Sequence, residues 1–204
     1  MEGQNNVVDM FGGMQMMYKF KKAELKVLLK NIVIICDNRE QVNQHITQYF
    51  DKKKKKYRTE KLDQGDYSCC IESNEETKPL GVLKDWYFSD DIAVERKNSV
   101  DELVQSIKDR DRFENEFARL NMYGTKTIVL VEDANGYENI LKGNYRSEYK
   151  PVSLNASLET FIARYNLNVQ FIDKSLTGFK IYQTMYYHIY EILKNKGYIE
   201  EVAQ

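Results

Sequence analysis

The stretch IAVERKNSVD, residues 92–101, decides the fold. Its three opening apolar residues predict a short buried strand, which ends in the charged triplet Glu95, Arg96 and Lys97. Side chains alternate between the two faces of a strand, so Glu95 and Lys97 point one way and Arg96 points the other. Ser99 follows as a helix N-cap with an acid three residues later, which is a capping box. The stretch therefore predicts a strand that carries an acid and a lysine on one face and leads into a helix.

Two further acids stand where strands are expected to begin or end. Residues 31–36 are apolar and rich in β-branched side chains, which predicts a buried strand, and Asp37 follows it. Gly65 and Asp66 lie in a turn signal between two other expected strands. Side chains at strand ends can converge on one edge of a sheet, so the three acids Asp37, Asp66 and Glu95 are expected to lie close together. Carboxylates held together repel each other, and a hard divalent cation with oxygen ligands relieves that repulsion.

The rest of the chain alternates strands with helices, which predicts an α/β domain of helices packed on a sheet. Further strands are expected over residues 58–62, 67–71, 82–88, 127–131 and 169–172, and helices over residues 41–50, 100–107, 113–120, 154–165 and 182–193. Residues 133–150 are expected to be irregular. Residues 1–30 are expected to form a flexible leader with a short basic helix after residue 18. Residues 31–204 are expected to form one domain.

Bulk composition excludes several classes of protein. The chain has 204 residues, 42% of them hydrophobic and 30% charged, which is an ordinary globular balance. Its net charge of -1 argues against a protein that coats nucleic acid non-specifically, but permits binding through a local patch. No apolar run approaches the roughly 20 residues that a membrane span needs, and no secretory signal is evident, so a cytoplasmic location without membrane contact is expected. Cys36, Cys69 and Cys70 are expected to be free, buried thiols.

The motifs together resemble the nuclease domain of XPF-type endonucleases, which carries the signature G-D followed by E-R-K-x-x-x-D. Gly65-Asp66 matches the first part of the signature, and Glu95-Arg96-Lys97 with Asp101 matches the second. Asp37-x-Arg39-Glu40 resembles the D-x-R-E that ends the first strand in that family. The resemblance extends over roughly residues 32–193.

The resemblance implies a restriction-endonuclease-like three-layer α/β domain, with a central mixed sheet flanked by helices, that hydrolyses DNA phosphodiester bonds with Mg²⁺ or Mn²⁺. The metal centre would be formed by Asp37, Asp66 and Glu95. The catalytic residues would be Asp37, Asp66, Glu95, Arg96, Lys97 and Asp101. In this scheme Lys97 positions the attacking water or meets the developing charge, and Arg96 holds a phosphate oxygen. Contacts with DNA would come from Arg112, with Arg110 as the alternative match, and from Arg39.

The same resemblance implies partners and a source. The last helices of the family's nuclease domain help to pair two domains, so a homodimer is expected. The segment from Ser153 to Leu158 that leads to Arg164-Tyr165 resembles small bacterial and phage members. A bacterial or phage-infected cell, with activity at the nucleoid, is expected on that ground. Branched or flap-like DNA in recombination, repair or replication is the expected substrate.

Two departures from the family pattern stand out. Residues 73–90 lengthen the gap between Gly65-Asp66 and Glu95 and are expected to form a hairpin-like insertion. Archaeal and eukaryotic relatives carry a following helix-hairpin-helix pair that grips duplex DNA, and no such domain is expected here. Selectivity for a DNA structure would then come from a protein partner.

Several alternatives stay open. The basic run Lys52 to Lys56 forms either a solvated loop or a phosphate-facing patch. Trp86 and Tyr87 either pack on the sheet or stack on exposed bases. The whole chain is either the endonuclease described above, a generic restriction-like nuclease such as a junction resolvase, or a non-catalytic DNA-binding scaffold that has kept the nuclease fold.

Overall fold

The computed structural model describes the backbone of residues 4–8, 14–195 and 198–201, and the side chains of residues 19–195. The strands are β1 (Gln4–Val8), β2 (Met14–Tyr18), β3 (Ile32–Asp37), β4 (Lys56–Glu60), β5 (Tyr67–Ile71), β6 (Trp86–Tyr87), β7 (Ile92–Lys97), β8 (Lys126–Val131), β9 (Asn168–Phe171) and β10 (Tyr198–Glu201). The helices are α1 (Lys22–Lys30), α2 (Gln44–Lys52), α3 (Val100–Lys108), α4 (Arg110–Met122), α5 (Gly136–Lys142), α6 (Pro151–Tyr165) and α7 (Thr177–Asn195), and short 3₁₀ turns cover Lys78–Leu80 and Lys174–Leu176.

The central sheet is mixed, with strand order β4-β3-β5-β7-β8-β9 and β6 beside β5. Strand β5 runs antiparallel to both of its main neighbours, β3 and β7, while β4, β8 and β9 run parallel to the strands they adjoin. The carboxyl ends of β3, β7 and β8 therefore meet the amino end of β5 at one edge of the sheet. The three acids that the sequence predicts at strand boundaries, Asp37, Asp66 and Glu95, all lie at this edge.

Helices cover both faces of the sheet, and the core divides accordingly. One apolar cluster joins α1, α2 and α7 to the face that carries Ile34, Val94 and Leu130. A second cluster joins α3, α4, α5 and α6 to the face that carries Ala93 and Val129. Alternate residues of β7 thus enter opposite clusters, as the period of a strand requires. The predicted three-layer α/β architecture, a mixed sheet flanked by helices, is confirmed.

The amino-terminal region, where a flexible leader is expected, contains two strands. Strands β1 and β2 pair with β10 in a separate three-stranded antiparallel sheet. Residues 1–3 and 9–13, also assigned to the leader, lie outside the described residues. The expected short basic helix is α1, which buries Leu25, Leu28 and Leu29.

Two local expectations change. A helix, α5, lies within residues 133–150, where the sequence suggested irregular chain; it ends at Gly143, whose φ is 74°. The expected strand over residues 82–88 is reduced to the two residues of β6, and before it Lys78–Leu80 form a 3₁₀ turn that ends at Gly81 in the left-handed region. This turn and α5 both end at a glycine with a positive φ.

The insertion at residues 73–90 is attached to the sheet. Asp85 accepts hydrogen bonds from the backbone N–H of Ser73 at 2.8 Å and from Arg58 at 2.9 Å. Trp86 packs against the first core cluster, with its ring 6.4 Å from that of Phe20, whereas Tyr87 is half exposed. Strand β6 pairs with the end of β5 that lies away from Asp66. Of the two alternatives for Trp86, packing on the sheet and stacking on exposed bases, the structure therefore shows packing.

The basic run Lys52–Lys56 also lies away from the acidic edge. Lys56 begins β4 opposite Val33, near the amino end of β3, whereas Glu60 at the other end of β4 lies opposite Asp37. The Lys55 ammonium lies 4.0 Å from the ring centroid of Tyr182. The run is therefore placed at the far end of the sheet from the acids.

Among the described residues, no helix combines the length and apolar character needed to cross a membrane.

We expect Phe117→Ala to destabilise the domain by about 3–5 kcal/mol, because it removes a fully buried ring from the second core cluster. The ring centroid of Phe117 lies 4.5 Å from that of Phe113, in an edge-to-face arrangement. The matched control on the same helix is Met122→Ala, whose side chain is 84% exposed and whose loss is expected to change stability by less than about 0.5 kcal/mol. Urea unfolding measures both, and equal midpoints for the two variants would contradict the assignment of this face to the core.

Candidate active site

A cavity of about 370 Å³ opens at the edge where the strand ends meet. Its walls come from the loops after β3 and before β5, from the end of β7 and from α3 and α4. The residues lining it are Arg39, Glu40, Asp63, Gln64, Gly65, Asp66, Glu95, Lys97, Glu102, Arg112, Glu116 and Arg119. Most are charged, so the cavity suits an ionic ligand better than an apolar one.

Gly65 and Asp66 form the floor of this cavity on the β5 side. Gly65 has a φ of 72°, and a Cβ there would lie 3.0 Å from the Cβ of Ala93, so only glycine fits without strain. The Asp66 backbone N–H donates to the carbonyl of Val94 at 2.9 Å, and its side chain accepts from the backbone N–H of Arg96 at 2.7 Å. The glycine turn thus holds the Asp66 carboxylate directly against β7.

Glu95 and Lys97 lie on the same face of β7, as the strand period predicts. Their side chains form an ion pair and are almost fully buried. Burial works against the charged ammonium, but the carboxylate of Glu95, by its charge and its hydrogen bond, outweighs burial and raises the pKa of Lys97. Lys97 is therefore held as a cation beside the acids.

The carboxyl groups in the cavity are crowded together. Burial first, and then the charges of Glu95 and Glu40, raise the pKa of Asp66 well above its ordinary value. Burial together with the charge and hydrogen bond of Glu95 raises the pKa of Glu116 from 4.5 to about 8. Such shifts mean that ionising all of these groups at once is unfavourable unless positive charge enters the cavity.

The donor set fits a hard divalent cation. Asp66 and Glu95 both line the cavity and both offer carboxylate oxygens. Mg²⁺ commonly uses only one or two protein carboxylates and completes its shell with water and phosphate oxygens. Over the part of the chain that the structure describes, no group of three or more His, Cys, Asp or Glu side chains is arranged to hold a metal ion.

Asp37, expected in the metal centre, has both oxygens occupied by other groups. One accepts from the backbone and the side chain of Arg39, and the other accepts from Arg39 and from the backbone N–H of Leu62 at 2.7 Å. Burial opposes ionisation, but these hydrogen bonds and the charge of Arg39 lower the pKa of Asp37. It does not line the cavity, and instead it fixes Arg39 at the cavity rim.

Arg96 is turned to the opposite face of β7 and is not in the cavity. Its guanidinium donates to Glu40 at 2.9 Å and to Glu132 at 3.1 Å. Glu132 follows β8, has a fully buried side chain and also contacts His45 at 2.5 Å. Here Arg96 neutralises two carboxylates, and its backbone N–H holds Asp66. The geometry thus gives Arg96 a place behind the acids and not on an incoming phosphate.

Two other expected residues also lie outside the cavity. Asp101 accepts a hydrogen bond from the backbone N–H of Arg146 at 2.7 Å, so it fastens the chain before α6 to the start of α3. Arg110 pairs with Glu114 at 2.9 Å. Arg112, the preferred match for the phosphate-binding arginine, does line the cavity.

Two cavity residues, Glu116 and Arg119, belong to none of the sequence motifs. Both lie on α4, four and seven residues after Arg112, so all three share one face of the helix. The spacing of four and three residues is present in the sequence. It could not be told apart from the many other charged positions of α4. Gln64 was missed as well; it lines the cavity, and its amide oxygen is buried without a hydrogen-bond partner.

Comparison with known proteins gives two findings. The family model described as the ERCC4 domain matches residues 36–184. Among solved structures, XPF from Aeropyrum pernix is similar with a TM-score of 0.54 and 18% identity over 78% of this chain and 66% of that chain. XPF from Aeropyrum pernix in complex with DNA is similar with a TM-score of 0.52 and 19% identity over 76% of this chain and 63% of that chain.

The similarity to the solved structures covers only part of those proteins. The chain spans slightly less than two thirds of the length of either solved protein. At such low identity the structural likeness shows the fold, which is the restriction-endonuclease-like fold expected from the motifs. No curated protein matches the sequence.

We expect Glu116→Gln to raise the melting temperature of the metal-free protein at pH 8.5, and to have a much smaller effect at pH 5. The folded pKa of about 8 exceeds the ordinary 4.5, so the unfolded chain releases this proton first as pH rises. The penalty for the ionised Glu116 therefore grows between these two values and is complete above pH 8. Glutamine carries no such penalty and can still donate to Glu95.

Calorimetry in EDTA at the two pH values measures this difference. Glu159→Gln, which changes an exposed acid on α6, is the control for removing one negative charge. An unchanged or lower melting temperature for Glu116→Gln at pH 8.5 would show that Glu116 and Glu95 do not compete for charge.

Proposed function

This chain belongs to the ERCC4 domain family, and on that basis we propose that it is a metal-dependent DNA endonuclease that acts on branched or flap-like DNA. The observation that carries the proposal is the meeting of Asp66, Glu95 and Lys97 in one cavity at the edge of the sheet. Two carboxylates can hold a divalent cation, and a cationic lysine beside them can stabilise the charge that develops during phosphodiester hydrolysis.

Asp66 and Glu95 would hold the cation, either Mg²⁺ or Mn²⁺. Such an ion, when bound, supplies positive charge to the phosphate oxygens and lowers the pKa of a coordinated water. The protein's contribution is to hold both carboxylates rigidly: Asp66 by the backbone of β7, and Glu95 by its own place in that strand.

Lys97 would act on the reacting atoms. Its raised pKa keeps the ammonium charged, so it can donate hydrogen bonds but cannot take a proton from water. We assign it to orienting the attacking water and to stabilising the negative charge that develops on the phosphate as the new oxygen–phosphorus bond forms. The opposite ester bond then breaks, leaving one strand end with phosphate and the other with a hydroxyl group.

Arginines at the rim would receive the DNA backbone. Arg39 is fixed by Asp37 yet remains two thirds exposed, and Arg112 is exposed on α4. Guanidinium groups bind phosphate oxygens in a bidentate manner, which suits both positions. Arg96 and Asp101 would support the site through Glu40 and Arg146 respectively, without touching DNA.

We expect Asp66→Asn and Lys97→Ala each to lower the rate of DNA cleavage by about 10²–10³-fold or more, because each removes a group acting on the reacting phosphate. The assay uses labelled duplex, single-stranded, splayed, flap and four-way DNA in Mg²⁺ or Mn²⁺. Asp111→Asn and Lys108→Ala, which change exposed residues outside the cavity, are the matched controls.

Three outcomes discriminate between the alternatives. Absence of cleavage by the wild-type protein on every substrate would reject the enzyme, and binding without cleavage would favour a DNA-binding scaffold. Cleavage that survives Asp66→Asn would reject the site assignment. Cleavage of unbranched duplex as fast as of splayed or flap DNA would favour a generic restriction-like nuclease.

We further propose that the chain forms a homodimer through α7. Two aromatic side chains of this helix are substantially exposed, Phe179 at 46% and Tyr187 at 59%. Exposed aromatic residues are enriched in the centres of protein interfaces. The DNA structure selected by the dimer would then depend on how the two nuclease domains are set against each other, or on a further protein partner.

We expect the wild-type protein to behave as a dimer at micromolar concentration, and Tyr187→Glu to weaken the dimer by roughly tenfold or more, because the interface would bury a charge. Light scattering on a sizing column gives the mass of each species. Tyr137→Glu on α5, where the side chain is 45% exposed, is the control. A wild-type protein that is monomeric over the same range would reject the dimer.

A further inference from the structure

We propose that Arg119 is a second phosphate contact on α4, two helical turns beyond Arg112, so that the helix grips the DNA backbone on both sides of the bond that is cut. The inference rests on the proposed nuclease function and extends it to a residue that the sequence motifs leave unassigned. It depends on where α4 lies, on the spacing of its arginines and on the charge they face.

Helix α4 forms one wall of the cavity. Arg112, Glu116 and Arg119 all line it, at successive spacings of four and three residues on one helix face. The adjoining face of α4, displaced by one residue, carries Phe113 and Phe117 into the core, which fixes the orientation of the helix. The two arginines therefore cannot rotate away from the cavity without moving a buried face.

The cavity continues beyond Arg112. A second cavity of about 310 Å³ lies between α3 and α4 and shares Lys97, Glu102, Arg112 and Glu116 with the first. Arg119 lines the first cavity only. Arg112 thus lies where the two cavities join, and Arg119 lies seven residues farther along α4, beside the first cavity. A strand that passes over Lys97 would meet one arginine before the reacting phosphate and the other after it.

The spacing suits a DNA strand. Seven residues of α-helix span about 10 Å along the axis. Phosphates two nucleotides apart on one strand are separated by about 7 Å of duplex axis, and arginine side chains are long enough to cover the remaining distance. The two guanidinium groups can therefore reach the phosphates that flank the reacting one.

Charge also favours this role. Arg119 is exposed, and over the described part of the chain it makes no hydrogen bond or ion pair. Two arginines outside the cavity differ in this respect, because Arg110 and Arg164 both pair with Glu114. An arginine without an acidic partner beside a cavity floor rich in carboxylates lowers the repulsion that those carboxylates exert on a phosphate.

The test measures binding of labelled splayed DNA by fluorescence anisotropy, with Ca²⁺ replacing Mg²⁺, over a range of salt concentrations. We expect Arg119→Ala to raise Kd by roughly 5- to 20-fold and to lower the slope of log K against log salt by about 1, as loss of one phosphate contact does. Arg119→Lys should recover part of the affinity. Arg164→Ala, which removes an exposed arginine already held by Glu114, should leave the slope unchanged.

A second measurement locates the contact. Neutral methylphosphonates replace the phosphates of the cut strand one at a time. At one position next to the cut, the replacement should weaken wild-type binding as much as Arg119→Ala does, and should weaken Arg119→Ala no further. Strictly additive losses at every position would overturn the inference.

The two proposals fail in different ways. If the wild-type protein neither binds nor cuts any of the DNA substrates, the nuclease function fails and this inference with it. If the wild-type protein binds and cuts DNA while Arg119→Ala shows the same Kd and salt slope, only the role of Arg119 is overturned. Circular-dichroism melts of each variant show that the fold is intact.

Discussion

The hydrogen bond from the Arg96 backbone N–H to the carboxylate of Asp66 is the contact on which the site depends. It joins the turn before β5 to the end of β7, where β5 and β7 have only one paired position, Tyr67 with Val94. Together with the hydrogen bond from the Asp66 N–H to the Val94 carbonyl, it holds the carboxyl group of Asp66 beside Glu95, although the two groups repel each other when both are ionised. Since the donor is a backbone group, this constraint does not depend on the side chain at position 96, which is free to serve another purpose.

That other purpose is carried out on the opposite face of the sheet. The Arg96 guanidinium binds Glu40 and Glu132, and Tyr67 donates to Glu40 at 3.2 Å. Three consecutive residues of β7 therefore contribute to two different environments: Glu95 and Lys97 to the cavity, and Arg96 to a buried ionic network. Breaking one side of a buried network is costly, so the network holds the end of β7 in place. The chemistry on one face relies on the packing of the other.

The sequence predicted the parts of this arrangement that are local. Alternation along residues 92–97 placed Glu95 and Lys97 on one face, and the capping pattern at Ser99 placed α3, whose Glu102 N–H donates to the Ser99 hydroxyl at 3.2 Å. The layered fold followed from alternating strands and helices. Asp66 at a strand boundary was also expected, because the glycine turn that precedes it marks where one strand ends and the next begins.

Contacts between distant segments could not be predicted in the same way. Glu132 carried no motif, and its role depends on Arg96 and His45, which are 36 and 87 residues away in the chain. Asp37 was grouped with the acids because it ends a strand, but the direction of its side chain is set by Arg39 and by Leu62, 25 residues later. Glu116 looked like one of many charges on α4 until the helix was set against β7. In each case the missing information was the position of a neighbouring element.

The two faces of α4 are constrained in different ways, one by packing in the core and the other by the ligand of the cavity. Phe113, Phe117 and Leu120 repeat at the same spacing as Arg112, Glu116 and Arg119, displaced by one residue. A substitution in the first set removes buried contacts and lowers stability, whereas one in the second set leaves the aromatic packing intact and changes mainly the charge of the cavity. The charge of the cavity wall can therefore differ between related proteins without loss of the fold. In relatives with different substrates, we expect the apolar positions of this helix to stay apolar. We expect the charged positions to differ.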